Sequence, residues 1–487
     1  MGGGPESPFL TAPEGLRLNV SPPPQPRQNA GWTTGLALLS LVLSGLLWLN
    51  GLVDSLQRPS VGNALELRQR QLTALAAPAL PVSLRAGLAG EQPLEALRLE
   101  LQKQLDDSLL PPDPQLELQL ALLERKAGRA GDATQRLQQL GQQVAPDQRP
   151  VLQALLAPVV AQDAEKAVVQ TQTLLAGWQV SPLTRQLVCQ ALGGPAAPCS
   201  NRPAQQAAAL RLLGTGAAPV LLLVLGAVLL VRQLWLRWRG KGPAPLPVVG
   251  PPLSLAEATL LIAGGFVVLG ELVMPLLLAP LLQGLLSPLA GQPALQQGLL
   301  VMGLYLGLMA VPLLLLWSQL RPHGPAPSGG WLQWHWQPLG SALRRALGQV
   351  LMVLPVVALV GWLLERLVGD PGGSNPLLEL VLTSADPWAL LCFALTAVVL
   401  APLFEETLFR GVLLPVLAQR WGGLAAVTIS ALVFGIAHLS LGELPPLFVL
   451  GLGLGWLRLQ SGRLGASVLM HSLWNGLTFA NLLLLAG

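Results

Sequence analysis

Apolar segments of helical length recur along this chain and alternate with short polar connections. A helix needs about 20 predominantly apolar residues to cross roughly 30 Å of hydrocarbon, so the pattern predicts membrane-spanning helices rather than one globular core. Nine apolar segments are present, at residues 35–53, 219–231, 258–282, 298–318, 349–364, 386–417, 424–440, 445–459 and 465–485. The predicted fold class is all-α, a polytopic membrane helical bundle.

Residues 55–215 follow a different pattern, in which Leu recurs at helical spacing among Gln, Glu and Arg. This amphipathic repeat predicts a soluble helical insert between the first two membrane helices. Residues 116–140 resemble one tetratricopeptide-like hairpin, but a single copy without an array favours a generic helical hairpin. The predicted organisation is a cytoplasmic tail at 1–30, a transmembrane anchor at 31–54, the insert at 55–215, a transmembrane helix at 217–240 and a polytopic membrane domain at 253–487.

Composition supports the membrane assignment, because 52% of the residues are hydrophobic, only 11% are charged, and the mean hydropathy is +0.54. Soluble domains carry about 25% charged residues. The net charge of +4 does not indicate a nucleic-acid partner, since the arginines are spread between apolar segments. The Pro- and Gly-rich residues 1–30 predict disorder. No small-residue cleavage site follows the first span, which favours an uncleaved anchor over a signal peptide.

Lys and Arg are concentrated in alternate connections between the spans. Cations favour cytoplasmic loops, so this distribution predicts a cytoplasmic amino terminus and an extracytoplasmic insert. Cys189 and Cys199 then lie ten residues apart in an oxidising compartment. They can form a disulfide or remain two thiols, and the sequence leaves both possibilities open.

Two adjacent carboxylates, Glu405 and Glu406, lie within an apolar span. A carboxylate at the centre of a membrane helix costs about 2.5–3.5 kcal/mol on insertion scales, so such residues are kept mainly where they pair or do chemistry. Glu406 and Arg410 are four residues apart and can form an ion pair on one helix face. Glu405 points elsewhere and is left as a candidate general base. The alternative is a structural cluster at a helix start near Pro402.

Two of the four histidines, His438 and His471, lie in later apolar spans, and Asn475 follows His471 by one helical turn. A single buried histidine is usually a packing residue. Here three spans supply polar side chains, which is how membrane bundles assemble a polar site. Glu271, in a further span, is expected to line a cavity or to pair with a carbonyl freed by a proline, and a catalytic role is the less favoured interpretation.

Three strings in this region resemble the motifs of a known family: Glu-Glu-Thr-Leu-Phe-Arg at 405–410, Phe-Gly-Ile-Ala-His at 434–438 and His-Ser-Leu-Trp-Asn at 471–475. Their order and spacing are similar to those of the CPBP intramembrane proteases, also called the ABI or type II CAAX prenyl endopeptidase family. The resemblance covers about residues 345–487. It implies hydrolysis of a membrane-associated protein or peptide substrate, prenylated in the eukaryotic precedent. The implied catalytic residues are Glu405, Glu406, Arg410, His438, His471 and Asn475.

The resemblance is compatible with two mechanisms. In one, Glu405 assisted by His438 deprotonates a water molecule while His471 and Asn475 stabilise the oxyanion, and Glu406 and Arg410 orient the set. In the other, Glu405, His438 and His471 bind Zn²⁺, which activates the water. The chain contains no His-Glu-x-x-His string, so a soluble-zincin helix is absent from it. The sequence does not decide between the two mechanisms.

Two functions of other classes stay open at this point. The first is a noncatalytic membrane scaffold or immunity-type protein on the same fold, with a protein partner bound by the insert. The second is a transporter that uses Glu405 and the histidines as a proton relay. The predicted depths also disagree: Glu405 and His438 lie about 18 and 21 Å from the inner ends of their spans, whereas His471 lies only six residues into its own. A cavity that tapers toward the cytoplasm is needed to unite them.

Overall fold

The computed structural model describes residues 31–57, 61–107, 113–158, 163–241, 245–369 and 372–486. The predicted tail at 1–30 lies outside this part of the chain. Every regular element within these ranges is a helix, which confirms the all-α prediction. The described residues include seven helices that are long and apolar enough to cross a membrane. The protein is an integral membrane protein.

The first candidate span, α1, is Gly31–Ser55. The insert follows as α2 (Val61–Ala76), α3 (Val82–Ala89), α4 (Pro93–Asp107), α5 (Pro114–Lys126), α6 (Ala130–Gln143), α7 (Arg149–Leu156), α8 (Ala164–Leu174) and α9 (Pro182–Ala191). The membrane domain is built from α10 (Arg202–Trp238), α11 (Leu255–Leu285), α12 (Pro293–His323), α13 (Leu339–Val368), α14 (Pro376–Thr383), α15 (Pro387–Ile436), α16 (Leu444–Ser461) and α17 (Leu464–Ala486).

The 50-residue helix α15 contains two of the predicted spans, because the chain reverses at Gly422. This glycine has φ 80° and ψ 165°, outside the helical region. The Ser430 hydroxyl donates to the Phe409 carbonyl at 3.0 Å, although 21 residues of straight helix would separate the two by about 31 Å. We call residues 387–421 the first arm and residues 423–436 the second arm.

The seven candidate spans are α1, α10, α11, α12, α13, α15 and α17. Eight of the nine predicted segments lie in these helices, since α15 holds two. The ninth, at 445–459, forms α16, which is not among the seven. Its 18 residues include two successive prolines and Arg458, which lower its hydrophobicity.

The predicted boundary between the insert and the second span, at residues 215–217, does not coincide with a helix end. A single helix, α10, runs from the insert into the membrane. Gly214 and Gly216 lie in a π-helical turn, Leu213–Ala217, that absorbs them without ending the helix. The insert is therefore joined to the bundle by a continuous helix.

The apolar core of the insert extends onto the membrane domain. Leu118 and Leu152 of the insert belong to the same buried cluster as Val381 of α14, Phe393 of the first arm and Leu482 of α17. Arg211 also connects the two regions, because its guanidinium donates to the carbonyls of Leu484 at 2.7 Å and Leu485 at 3.3 Å. The insert is thus docked on the end of the bundle where α17 finishes.

The cysteine pair left open by the sequence is joined in the structure. Cys189 and Cys199 form a disulfide, with Cα atoms 5.6 Å apart. It joins α9 to the turn that precedes α10 and packs beside Ala167 of α8 in a small buried cluster.

Candidate active site

Aromatic packing fixes the positions of the two arms around the predicted site. Phe404 and Phe409 of the first arm and Phe434 of the second arm are each at most 1% exposed. The rings of Phe409 and Phe434 meet edge to face with centroids 5.5 Å apart, and Phe266 of α11 contacts Phe404 in the same way at 5.6 Å. Such pairs add about 0.5–1.5 kcal/mol beyond the burial of their area. The carboxylates thus project from a well-packed scaffold.

Glu406 is the centre of a fully buried polar cluster. Its Oε1 accepts from Arg410 Nη1 at 2.9 Å and from His471 Nδ1 at 3.0 Å, and both members of the predicted ion pair have no exposed side-chain surface. Arg410 also donates to the Gly451 carbonyl of α16 at 3.1 Å and covers the Phe434 ring at 4.5 Å. Breaking such a buried pair costs about 3–5 kcal/mol, so this cluster holds three elements together.

Glu405 has a different environment, as its position next to Glu406 on a helix requires. The hydroxyl of Tyr305 on α12 donates to Glu405 Oε1 at 3.1 Å. Glu405 Oε2 is buried and has no hydrogen-bond partner among the described residues. It faces His471 Nε2 across 3.9 Å. One carboxylate oxygen is therefore held by Tyr305 and the other is left for a reacting group.

His471 lies level with the glutamates, so the depth difference expected from the sequence does not arise. The reason is the starting point of α17. A Cβ built on Gly411 of the first arm would lie 3.2 Å from the Leu464 side chain, so α17 begins beside Gly411, well inside the bundle. Seven residues later, His471 is 2% exposed and reaches both carboxylates.

His438 stands at the end of the second arm, where its Nδ1 contacts the Phe434 carbonyl at 2.8 Å. A carbonyl only accepts, so Nδ1 is the donor in this contact. Phe434 lies between the two histidines, with its ring centroid 4.7 Å from that of His438 and 5.7 Å from that of His471. Within the described structure no hydrogen bond joins His438 to Glu405 or His471.

Asn475 pairs with irregular backbone of the first arm. Its Nδ2 donates to the Ala397 carbonyl at 2.8 Å, and Ala397 lies in the π-helical segment Leu395–Leu400. π-Helical turns leave carbonyls without their usual helical partners and are frequent at functional sites. The Asn475 amide keeps one N–H that this bond does not use.

The proposed zinc ligands do not come together as a set. Among the described residues no three His, Cys, Asp or Glu side chains form a group that could hold a metal ion. Tetrahedral zinc ligands at 2.0–2.1 Å from the metal lie about 3.3 Å from one another, whereas Glu405 Oε2 and His471 Nε2 are 3.9 Å apart. His438 supplies no third ligand beside them. The described side chains, as placed, do not form a zinc site.

Tyr305 and Glu271 lie near the site and make contacts that the sequence did not predict. Tyr305 is the single tyrosine of the chain and lies 100 residues before Glu405, so only the fold reveals the contact. Glu271 of α11 interacts electrostatically with Glu405 and accepts from Trp48 Nε1 of α1 at 3.3 Å. This contact with α1 replaces the proline-freed carbonyl considered from the sequence.

Comparisons with known proteins match two parts of the chain. Residues 387–477 match the family model for the type II CAAX prenyl endopeptidase Rce1-like proteins, and residues 62–210 match a domain of unknown function, DUF8675.

An 82-residue stretch is 43% identical to an uncharacterized 24.3 kDa protein of Escherichia coli. The match covers 16% of this chain, and the chain spans only 38% of that relative's length. No solved structure matches. The family resemblance is confirmed for the carboxyl-terminal segment: residues 387–477, which carry Glu405, His438, His471 and Asn475, match the family model of the type II CAAX prenyl endopeptidase Rce1-like proteins.

Proposed function

We propose that this protein is an intramembrane endopeptidase that hydrolyses a peptide bond of a membrane-associated protein substrate with water activated by Glu405. The observation that carries the proposal is the buried Glu405 Oε2, which lacks a hydrogen-bond partner within the described residues and faces His471 Nε2 at 3.9 Å. The family match of residues 387–477 supports the same class of reaction.

In the proposal, the attacking water lies about 2.8 Å from both Glu405 Oε2 and His471 Nε2, to one side of the 3.9 Å line that joins these atoms. In the proposed reaction Glu405 Oε2 takes a proton from this water as its oxygen attacks the scissile carbonyl carbon. The carbonyl oxygen becomes an oxyanion and accepts from His471 Nε2–H. When the C–N bond breaks, the proton on Glu405 passes to the leaving amine. Atoms and charge balance without another reactant.

The remaining residues prepare this step. His471 then carries a proton on both ring nitrogens, one donated to Glu406 and one to the oxyanion. With His471 in this form, the charges of Glu405, Glu406, Arg410 and His471 sum to zero before the attack. After it, the proton on Glu405 leaves these four residues at +1, which the oxyanion balances, so the net charge buried in the site stays at zero. The free N–H of Asn475 supplements the oxyanion donor. Assistance from His438 stays a prediction, because its recorded hydrogen bond is to the Phe434 carbonyl.

The test is a Glu405→Gln variant, which keeps the shape of the side chain and removes its base. The full chain is reconstituted in liposomes with a quenched fluorogenic peptide that is anchored in the membrane, prepared with and without a prenyl chain. We expect cleavage by the wild type and a decrease of about 10²–10⁴-fold in the variant. Glu379→Gln, an exposed glutamate of α14, is the matched control and should retain full activity.

Equal cleavage by the wild type and Glu405→Gln would contradict the proposal. If neither protein cleaves while residues 55–215 still capture a protein partner, the noncatalytic scaffold is the better explanation. Cleavage that persists after chelation and dialysis agrees with the metal-free scheme, and its loss with recovery on adding Zn²⁺ would replace that scheme by the zinc mechanism.

The proposal includes an amino terminus in the cytoplasm and an extracytoplasmic insert. It rests on the cations at one end of the bundle, among them Arg237, Arg344 and Arg345. The opposite loops hold few cations and several acidic residues. A reporter fused at residue 30 should lie in the cytoplasm, and a reporter within the insert should lie outside it. The reverse assignment would show that the orientation is inverted.

A further inference from the structure

A groove with a volume of about 440 Å³ runs between α10, α13, the second arm and α16. Its walls are mainly apolar and include Leu230, Met352 and Val356. At its rim Leu234 is 57% exposed and Leu424 is 71% exposed, so in a membrane the groove opens to the hydrocarbon. We call it the Trp456 groove after the indole at its polar end. Its walls suit an acyl chain.

The polar end of the Trp456 groove is formed by two arginines that meet at Gln460. Arg237 lines the groove and its guanidinium covers the Trp456 ring at 4.3 Å. The Gln460 side-chain amide is oriented with its oxygen toward two donors. This oxygen accepts from Arg237 Nη2 at 2.5 Å and from Trp456 Nε1 at 3.0 Å. Arg345 Nη1 donates to the Gln460 backbone carbonyl at 3.2 Å. Gln460 therefore contacts both guanidinium groups, that of Arg237 through its side chain and that of Arg345 through its backbone.

No carboxylate of this part of the chain balances these cations. Segments 202–256, 321–364, 407–442 and 444–487 contain no Asp or Glu, and they hold nearly all residues of the groove and its polar end. Neither Arg237 nor Arg345 has an ion pair recorded among the described residues. The two guanidinium groups carry like charge, and an anion bound beside both would offset their mutual repulsion. Guanidinium groups suit phosphate in particular, because their N–H groups match its oxygens.

We propose that the Trp456 groove binds one anionic phospholipid, with an acyl chain along the groove and its phosphate between Arg237 and Arg345. The combination of an apolar channel with a paired cationic end selects a lipid over a free phosphate, which would leave the channel without contacts. It also selects an anionic lipid over a zwitterionic one, whose headgroup cation would face the arginines. The site is separate from Glu405 and does not depend on catalysis.

The test is native mass spectrometry of the full chain in detergent, titrated with phosphatidylglycerol or with phosphatidylcholine of the same acyl chains. We expect one phosphatidylglycerol to be retained in preference to phosphatidylcholine. Each basic residue near an anionic lipid surface contributes about 1 kcal/mol, so Arg237→Ala with Arg345→Ala should weaken binding roughly thirtyfold. Arg232→Ala with Arg239→Ala is the matched control, since both residues are near the same end of α10 and neither lines the groove. It should change binding less than threefold.

Two further variants keep the test decisive. Val356→Trp fills the channel without changing charge and should weaken both lipids. Arg237→Lys with Arg345→Lys keeps the charge and loses the planar fork, so it should bind less tightly than the wild type but more tightly than the double alanine variant. The proposal is overturned if phosphatidylcholine binds as tightly as phosphatidylglycerol, if the control pair loses as much affinity as the groove pair, if Val356→Trp binds normally, or if millimolar inorganic phosphate displaces the lipid.

Discussion

Glu405 and Glu406 are neighbours in the chain and meet different partners, because consecutive residues of a helix are turned by about 100° from one another. Glu406 is held by Arg410 and His471, whereas Glu405 is held on one oxygen by Tyr305. The first carboxylate stabilises the cluster, and the second keeps a free oxygen. Tyr305 therefore controls which oxygen of Glu405 faces His471.

Tyr305→Phe removes this hydroxyl and nothing else. Glu405 can then rotate, so we expect kcat to fall about tenfold, the equivalent of one hydrogen bond of about 1.4 kcal/mol, with KM unchanged. A purely structural role would instead lower the amount of folded protein and leave kcat per folded molecule intact.

The contact can also be measured without an activity assay, because the chain has one tyrosine. Labelling with [¹³Cζ]tyrosine gives a single resonance, which should shift in Glu405→Gln and stay in place in Glu379→Gln. An unchanged tyrosine resonance in Glu405→Gln would show that the Tyr305 and Glu405 side chains are not in contact.

The sequence predicts side-chain contacts between residues one helical turn apart, but not contacts between residues far apart in the chain. The Glu406–Arg410 pair follows from four-residue spacing in a helix, and the structure has it at 2.9 Å. Tyr305 could not be found in this way, since 100 residues separate it from Glu405 and only packing of α12 on the first arm unites them. His438 was expected beside Glu405, but the bond to Phe434 holds its Nδ1 within its own arm.

Between elements, the close crossing of α16 and the second arm depends on Gly451. A Cβ built on this residue would lie 2.9 Å from both Cα and Cβ of Ala431, closer than real Cβ atoms come. The Gly451 carbonyl at this crossing accepts from Arg410. The glycine thus places a backbone acceptor where the buried guanidinium needs one.

Gly451→Ala should lower the free energy of unfolding by about 1–3 kcal/mol, because the helices must separate and the Arg410 bond must lengthen. Gly361→Ala is the control, since a Cβ there meets nothing within 4 Å and alanine favours a helix. Thermal unfolding in detergent compares the two. Equal stability of Gly451→Ala and the wild type would show that the crossing has room to relax.

The sequence predicts which segments are helices better than it predicts where each helix begins or ends, for a physical reason. Apolar runs identify spans because hydrocarbon rejects polar side chains, and eight of the nine segments fall in candidate spans. The depth at which a span begins depends on the helices that it packs against. The start of α17 beside Gly411 could therefore not be predicted from the apolar segment at 465–485. The same limit applies to α10, whose glycines do not end the helix.

Considered as a whole, the molecule joins an Rce1-like segment to an insert through α10 and through a shared apolar core. The last carbonyls of a helix have no partner within it. Arg211 supplies donors to two of them at the end of α17. The insert is therefore attached to the helix that carries His471 and Asn475, on the side away from the cations.

Arg211→Gln should loosen this attachment by about 2 kcal/mol, the contribution of hydrogen bonds to a charged group. Hydrogen–deuterium exchange of the peptide covering residues 476–486 should accelerate, while Arg185→Gln, an exposed arginine of α9, should leave it unchanged. Identical exchange in the Arg211→Gln variant and the wild type would contradict the proposed attachment.

The shared core also sets an order of events during biosynthesis. Arg211 and its acceptor Leu484 are separated by 273 residues, which a ribosome adding about 5–20 residues per second needs on the order of 14–55 s to make. During that interval the insert has already emerged with its docking surface bare, and its last apolar neighbours, Leu482 and Leu485, do not yet exist. Docking of the early domain must therefore wait for a late helix, and until then the apolar surface that it buries against α17 stays uncovered by that helix.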